Sequence, residues 1–276
     1  MSATTVFCKH RRIADPDRAA DRLHAGPMLR RLSSLDCQLV FDMDDTLNSN
    51  QVLFSEASDK LAVIYARLCP HGRDPQTLRK LHADYDNALI PTLGYTPHRW
   101  YTSAHEFARQ VAGRPLTASE SREVDAAADH AMGVGTILPG VERALDALTR
   151  AGVPMLLKTK GDRDKQTEKL AAHRFDRFFG DAIVIVDRKD EQTFRDVPAA
   201  YGFTNVVSIG DSERSDVLPA LAVGHRAVHI DKGADAWDYE APGADHGAPR
   251  VPSMPHAVLH LAAAGSGAAR PALALS

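Results

Sequence analysis

Three carboxylates stand within four residues in the stretch Leu39-Val40-Phe41-Asp42-Met43-Asp44-Asp45-Thr46-Leu47. Acids packed this closely repel one another, so a fold that gathers them must supply a cation or keep one acid protonated. A divalent metal is the simplest cation. Magnesium suits a carboxylate site that also takes a phosphate, whereas zinc would call for cysteine or histidine nearby. The plainer alternative is a polar loop in which Asp45 caps a following helix. The apolar run ahead of Asp42 reads as a strand buried on both faces, and parallel sheets place their chemistry at the carboxyl ends of such strands.

Further runs of the same kind follow. Val153 to Leu157 leads into Lys158-Thr159-Lys160-Gly161-Asp162, Ile183 to Val186 into Asp187-Arg188-Lys189-Asp190, and Val206 to Ile209 into Gly210-Asp211-Ser212-Glu213-Arg214-Ser215-Asp216. Ala227 to Ile230 is a fifth strand. Helical spacing lies between them. Pro139 opens a helix in which Val141, Ala144, Leu145 and Leu148 share a face and which Gly152 ends. Arg163 to His173 is a helix carrying Lys165, Glu168 and Lys169 outward, and Pro198 shortens or kinks another. Strands alternating with helices predict an α/β fold, a Rossmann-like parallel sheet with helices on both faces. Alternation along the second strand turns Lys158 and Lys160 away from Thr159, as surface or rim charges.

One long segment breaks the pattern. From about Val52 to Met132 the apolar residues fall at helical intervals, as in Leu61, Ile64, Tyr65 and Leu68 and again in Leu78, Leu81, Tyr85 and Leu89, with breaks at Cys69-Pro70-His71-Gly72 and Pro91-Thr92-Leu93-Gly94. The organisation expected is an extension over residues 1–36, partly disordered and with a helix from Asp17 to Leu35 broken near Gly26-Pro27. An α/β core follows over 37–50 and 136–262, with an inserted all-helical domain over 51–135 and a flexible tail over 263–276. No motif lies in residues 1–35, so deleting them is expected to leave activity intact.

Composition narrows the function. With 276 residues, 44% hydrophobic and 25% charged, the chain is an ordinary globular one, and a formal charge of −3 offers no basic footprint for nucleic acid. No apolar run is long enough for a membrane helix, and no apolar stretch follows Lys9, Arg11 and Arg12 to make a secretory signal. Cys8, Cys37 and Cys69 are odd in number and widely spaced, which fits a reducing compartment, by default the cytoplasm. The partner expected is a small phosphorylated metabolite, with neither nucleic acid nor membrane.

Taken singly, Thr159 is a strand-end cap, Lys189 a solvated loop charge and Gly210-Asp211 a turn. Taken together, every strand end carries a residue suited to phosphoryl transfer. Phe-Asp-Met-Asp-Asp-Thr-Leu, Leu-Lys-Thr-Lys-Gly-Asp, the lysine of Arg-Lys-Asp and Ile-Gly-Asp-Ser-Glu-Arg-Ser-Asp stand in this order, each after a strand. They resemble the four motifs of the haloacid dehalogenase superfamily of aspartate-nucleophile phosphohydrolases. The likeness covers about residues 38–50 and 136–240, with the helical insert where the family has its type-1 cap. It departs from the family in the 41 residues that precede the first aspartate.

The resemblance implies a Mg²⁺-dependent phosphomonoesterase working through a phosphorylated Asp42. Asp44 would be general acid and base, and Thr159 and Lys189 would complete the catalytic set. Asp42, Thr159, Lys160 and Lys189 would hold phosphate, and Asp42, Asp44, Asp211 and Asp216 would hold the metal, Asp216 directly, through water or by orienting Lys189. The acid at Asp44 favours a phosphatase over a dehalogenase, since true dehalogenases lack it. The phosphonate-cleaving branch needs a cap lysine, and the insert offers only Lys60 and Lys80. A phosphotransferase or phosphomutase on the same site and a non-catalytic phospho-ligand binding protein are the alternatives. His98, Arg99 and Trp100 are the candidate specificity residues of the insert. The competing assignment puts Trp100, Tyr101 and Phe107 in its core and His98 on its surface, and His105 and Arg109 have the same standing.

Overall fold

The computed structural model describes residues 15–232 and 246–264. Its centre is a parallel sheet of β1 (Gln38–Phe41), β2 (Met155–Lys160), β3 (Ile183–Val186), β4 (Val206–Gly210), β5 (Arg226–Ile230) and β6 (Arg250–Val251). The strands run in the order β3-β2-β1-β4-β5-β6, every neighbouring pair parallel. The order reverses at β1, which lies between β2 and β4. Such a reversal opens a crevice beyond the carboxyl ends of the strands, and Asp42 is the first residue after β1.

Alternation fixes which strand residues face which layer. Leu39, Phe41, Leu157, Val207 and Ile209 join the larger core with the helices Val141–Ala151 and Met254–Ala264. Val40, Leu156 and Val206 face the other way, onto Val197 and Phe203. Pro198 lies inside the helix Glu191–Ala200. The second strand reaches Lys160, so Lys158, Thr159 and Lys160 are strand residues and not the loop the sequence suggests. The two-residue β6 carries too little pattern to be read from sequence. Of the expected tail, residues 265–276 lie outside the described residues.

The amino-terminal reading is corrected. Helices Pro16–Leu23 and Gly26–Ser33 break where Gly26-Pro27 suggests, yet they are part of the core: Ala20, Leu23 and Leu32 are fully buried, and Leu23 and Leu32 belong to the larger cluster. Arg143 pairs with Asp17 and Asp21, and His24 Nε2 donates to the Arg143 carbonyl at 2.9 Å. A polar average hid a narrow apolar stripe, which is all a two-turn helix needs to dock.

The segment between β1 and the next core helix folds as helices Gln51–Leu68, Pro75–Ala88, Pro97–Ala112 and Ala118–Asp129, with a short turn Ile90–Leu93. They enclose a separate apolar cluster that includes Leu61, Tyr65, Leu78, Trp100, Phe107 and Val124. Its two connections run side by side, Ser49 N donating to the Thr136 carbonyl at 2.8 Å. Among the described residues no helix is long and apolar enough to cross a membrane.

Because Leu32 is sealed in the core, Leu32→Ala should lower the free energy of unfolding by about 2 to 5 kcal/mol. A chain starting at Asp36 should lose its cooperative urea transition. Unchanged transitions in both would return this segment to the status of a dispensable extension.

Candidate active site

The turn after β1 is set by its own carboxylates. Asp45 adopts a left-handed backbone (φ 61°), which aspartate tolerates, and its side chain accepts from the Asn50 and Gln51 amides at 3.0 Å. Asp45 thus caps the helix Gln51–Leu68, as the plainer sequence alternative held, and Lys232 Nζ approaches it at 3.5 Å. This turn leaves Asp42 at the head of β1 and facing a cavity of about 740 Å³. Asp42, Thr159, Lys189 and Asp211 line it from the sheet, and Arg99 and Trp100 line it from the helices.

Four of the expected residues meet there. Lys189, itself buried, donates from Nζ to Asp42 Oδ1 and, at 2.8 Å, to Asp216 Oδ1. Carboxylate oxygens of Asp42, Asp211 and Asp216 lie within 4.8 Å of one another, and Thr46 Oγ1 is 3.4 Å from both Asp42 Oδ2 and Asp211 Oδ1. The loop after β4 is held tightly. A Cβ on Gly210 would fall 2.4 Å from Asp216 Cγ, so only glycine lets the π-helical turn Glu213–Val217 fold back and bring Asp216 over the strand end. His229 Nε2 donates to the Asp211 carbonyl at 2.9 Å and steadies the same loop.

The charges do not balance. With all three carboxylates ionised, Asp42, Asp211, Asp216 and Lys189 together carry two negative charges in excess. Burial, then the neighbouring Asp216 and Asp44, lift Asp42 to about 7 against the opposing pull of Lys189. Burial together with Asp42 and Asp45 raises Asp211 well above the usual carboxylate range. Burial lowers Lys189, but Asp216 and Asp42 outweigh it and leave its ammonium above the ordinary lysine value. An all-oxygen donor set short of two positive charges fits Mg²⁺. Asp42 Oδ2, Asp216 Oδ2 and the Asp211 carboxylate are the oxygens that Lys189 does not take.

The Asp44 side chain, expected with the metal-holding acids, stands apart from the cluster of Asp42, Asp211 and Asp216. Its two oxygens are 2.9 and 3.0 Å from Lys169 Nζ, and Gln166 Nε2 donates to Oδ2 at 2.9 Å. Thr159 is buried and its Oγ1 has no partner among the described residues, so a donor stands ready at the cavity. Lys160, expected at the rim, does line the cavity: its Nζ lies 3.2 Å from Ser215 Oγ and 4.1 Å from the centroid of the Tyr95 ring. Arg99 pairs with Asp86 at 3.3 Å, Trp100 Nε1 donates to the Ala128 carbonyl at 3.0 Å, and His98 is exposed and does not line the cavity. Trp100 and Phe107 are core, Tyr101 packs against that core, and His105 pairs with Asp125.

Sequence reasoning missed Thr46, Gln166 and Lys169. Gln166 and Lys169 are one helical turn apart, four and seven residues beyond Asp162, and that spacing directly after the second motif is the signal that could have found them. The charge of Lys169, like that of Lys165 and Glu168, sends it outward in the sequence reading, and Gln166 carries no assignment there.

The arrangement is that of a doubly wound α/β protein whose acid cluster sits at the reversal of its sheet. The whole-chain comparisons give the family: residues 39–224 match haloacid dehalogenase-like hydrolase, and the chain belongs to that family of hydrolases. A phosphoserine phosphatase of Thermus thermophilus is 32% identical over 111 residues, 38% of this chain and 45% of that protein, so the match spans less than half of the relative's length. A haloacid dehalogenase-like family hydrolase from Xanthomonas campestris superposes with a TM-score of 0.66 at 24% identity, over 83% of this chain and 97% of the other. The HAD-hydrolase YfnB from Bacillus subtilis, in a form bound to magnesium, gives 0.56 at 14% identity, over 82% and 98%.

Lys158 is the largest departure from expectation. It is buried, not at the surface, with Nζ over the Phe194 ring and no hydrogen-bond partner among the described residues. Burial, and then the charge of Lys189, push it down to about 6. The folded state therefore binds fewer protons than the unfolded one between about pH 6 and 10.5, and stability rises with pH across that window, by at most about 1.4 kcal/mol per unit. Lys158→Met should raise the unfolding free energy at pH 7 by about 1 to 4 kcal/mol and by less at pH 10. Urea denaturation at both pH values measures this, and a destabilised variant would show that the ammonium has a partner in solution.

Proposed function

We propose that this protein is a Mg²⁺-dependent phosphomonoester hydrolase acting on a small phosphorylated metabolite through a phosphorylated Asp42. The observation that carries the reading is the cluster of Asp42, Asp211, Asp216 and Lys189, two positive charges short when its acids are ionised, beside the unpartnered hydroxyl of Thr159. Asp42 Oδ attacks phosphorus and the ester P–O bond breaks. Asp44, in its protonated form, gives its proton to the leaving alkoxide, then as carboxylate takes one from the water that attacks the phosphorylated Asp42, releasing inorganic phosphate and restoring the Asp42 carboxylate and the protonated Asp44. Thr159, Lys189 and Lys160 donate to the phosphoryl oxygens, and Asp216 holds Lys189 toward Asp42. Asp42 and Asp211 would hold Mg²⁺, with Asp216 beside them. When bound, the ion neutralises charge that otherwise keeps the phosphate from Asp42.

The helical unit over residues 51–135 serves as a type-1 cap on the core formed by 37–50 and 136–262, to which residues 15–36 also contribute. It excludes water and meets the leaving group through Arg99 and Trp100. Asp44 favours phosphate esters over haloacids, by the resemblance of its motif. The Thermus relative brings phosphorylated amino acids into the set of substrates to test.

Phosphate release from a panel of sugar, nucleotide and amino-acid phosphates should require Mg²⁺ and vanish with chelator. Asp42→Asn should lose at least about 10³-fold in kcat with its fold retained. Activity above about a tenth of wild type would remove Asp42 as the nucleophile. Asp44→Asn should lose about 10² to 10⁴-fold while still binding a phosphate mimic, and undiminished turnover would refute its role as acid and base.

A further inference from the structure

Among the described residues Lys169 is one of the few lysines held away from solvent. Its Nζ reaches Asp44 Oδ1 at 2.9 Å, Asp44 Oδ2 at 3.0 Å and Asn50 Oδ1 at 2.9 Å, and its side chain is only 11% exposed. Gln166, one turn earlier on the same helix, uses both amide hydrogens, one on Asp44 Oδ2 at 2.9 Å and one on the Lys160 carbonyl at 2.7 Å. Space for that amide is kept by Gly161. A Cβ there would lie 3.0 Å from Gln166 Nε2, on a backbone with φ of +143°. Asn50 is the last residue before the helix Gln51–Leu68, where the chain enters the helical unit, and its own amide is bound by Asp45.

From this geometry we infer that Lys169, with Gln166, is a positioning residue: it fixes the Asp44 carboxylate and ties it through Asn50 to the entrance of the helical unit. The inference rests on the role proposed above for Asp44 and extends it. A carboxylate two residues from Asp42 and beside two further acids has no electrostatic reason to stay near the phosphoryl site, and the turn that carries it offers Asp44 no other side-chain donor among the described residues. Lys169 supplies the counter-charge and Gln166 the direction. The hydrogen bond to Asn50 Oδ1 joins the setting of Asp44 to the residue at which the chain enters the helical unit. A catalytic group displaced by about 1 Å can lose about 10²-fold in rate, which sets the scale for partners that hold one in place.

The test uses the Mg²⁺-loaded full chain and two esters, p-nitrophenyl phosphate and the best alkyl phosphate from the panel. An aryl leaving group departs without a proton, so kcat/KM for it depends little on a well-placed acid, whereas an alkyl leaving group needs one. Lys169→Met should lower kcat/KM for the alkyl ester by about 10 to 100-fold and for the aryl ester by less than about threefold. Asp44→Asn should show the same asymmetry. Lys169→Arg should recover most of the loss, and Gln166→Leu should shift the ratio in the same direction by less. Equal losses on both esters, or none, in Lys169→Met while Asp44→Asn keeps the asymmetry would overturn the inference and leave the proposed function standing. A wild-type protein that hydrolyses neither ester would overturn both. Thermal unfolding of each variant with Mg²⁺ separates loss of fold from loss of position.

Discussion

The buried surplus of negative charge around Lys189 is the constraint on which the rest of the architecture depends. Three carboxylates and one ammonium at the wall of one cavity are held against the carboxylates' own repulsion. A single lysine cannot satisfy them, and the fold fixes them by covalent and steric means. Asp42 extends directly from β1, Asp211 from the neighbouring β4, and Asp216 is folded back by a π-helical turn that only Gly210 permits. Because β1 and β4 are parallel neighbours at the reversal of strand order, their ends are brought together without any long loop. A cluster carried on strand ends is rigid in the way that charge stabilisation in a reaction requires.

Around that cluster the neighbouring acids are given separate partners. Asp45 is taken up by two backbone amides and Lys232, Asp44 by Lys169 and Gln166, and Asp42 by Lys189 and Thr46. Four consecutive residues thus carry three carboxylates with three unrelated environments. Under the proposed reading this is how one short loop holds a nucleophile, an acid and base, and a helix cap without their exchanging roles.

The sequence made the strands and the four motif positions legible because both depend on local pattern: a short apolar run bounded by polar residues of particular types. It did not reveal Lys158, Lys169 or Leu32. Charge patterning sends lysine outward, which fails wherever a helix or strand face closes over a polar cavity or meets another layer. Lys158 follows the alternation of β2 faithfully and points away from Thr159, but the helix Glu191–Ala200 covers that side, so that away means inward. Leu32 lies in a helix whose composition is polar on average, and only its three-dimensional neighbours show that one face is sealed. Arg99 and Trp100 could be ordered by type but not by role, since an aromatic residue in a helix is core and cavity wall at once when the cavity adjoins the core.

The cavity wall opposite the acids bears on what the leaving group can be. Arg99 is already matched by Asp86, both nine-tenths buried, so the helical side presents a neutral pair and not an unanswered cation. An unpaired guanidinium in that place would draw an anionic leaving group. A paired one sets an anion against the Asp86 carboxylate, whose pKa burial raises, and gives no net attraction to a second negative charge. On the proposed reading the phosphoryl group is recognised at the sheet, and the remainder of the substrate meets Arg99 and Asp86 as a paired cation and anion beside Arg79, which also lines the cavity from the helices.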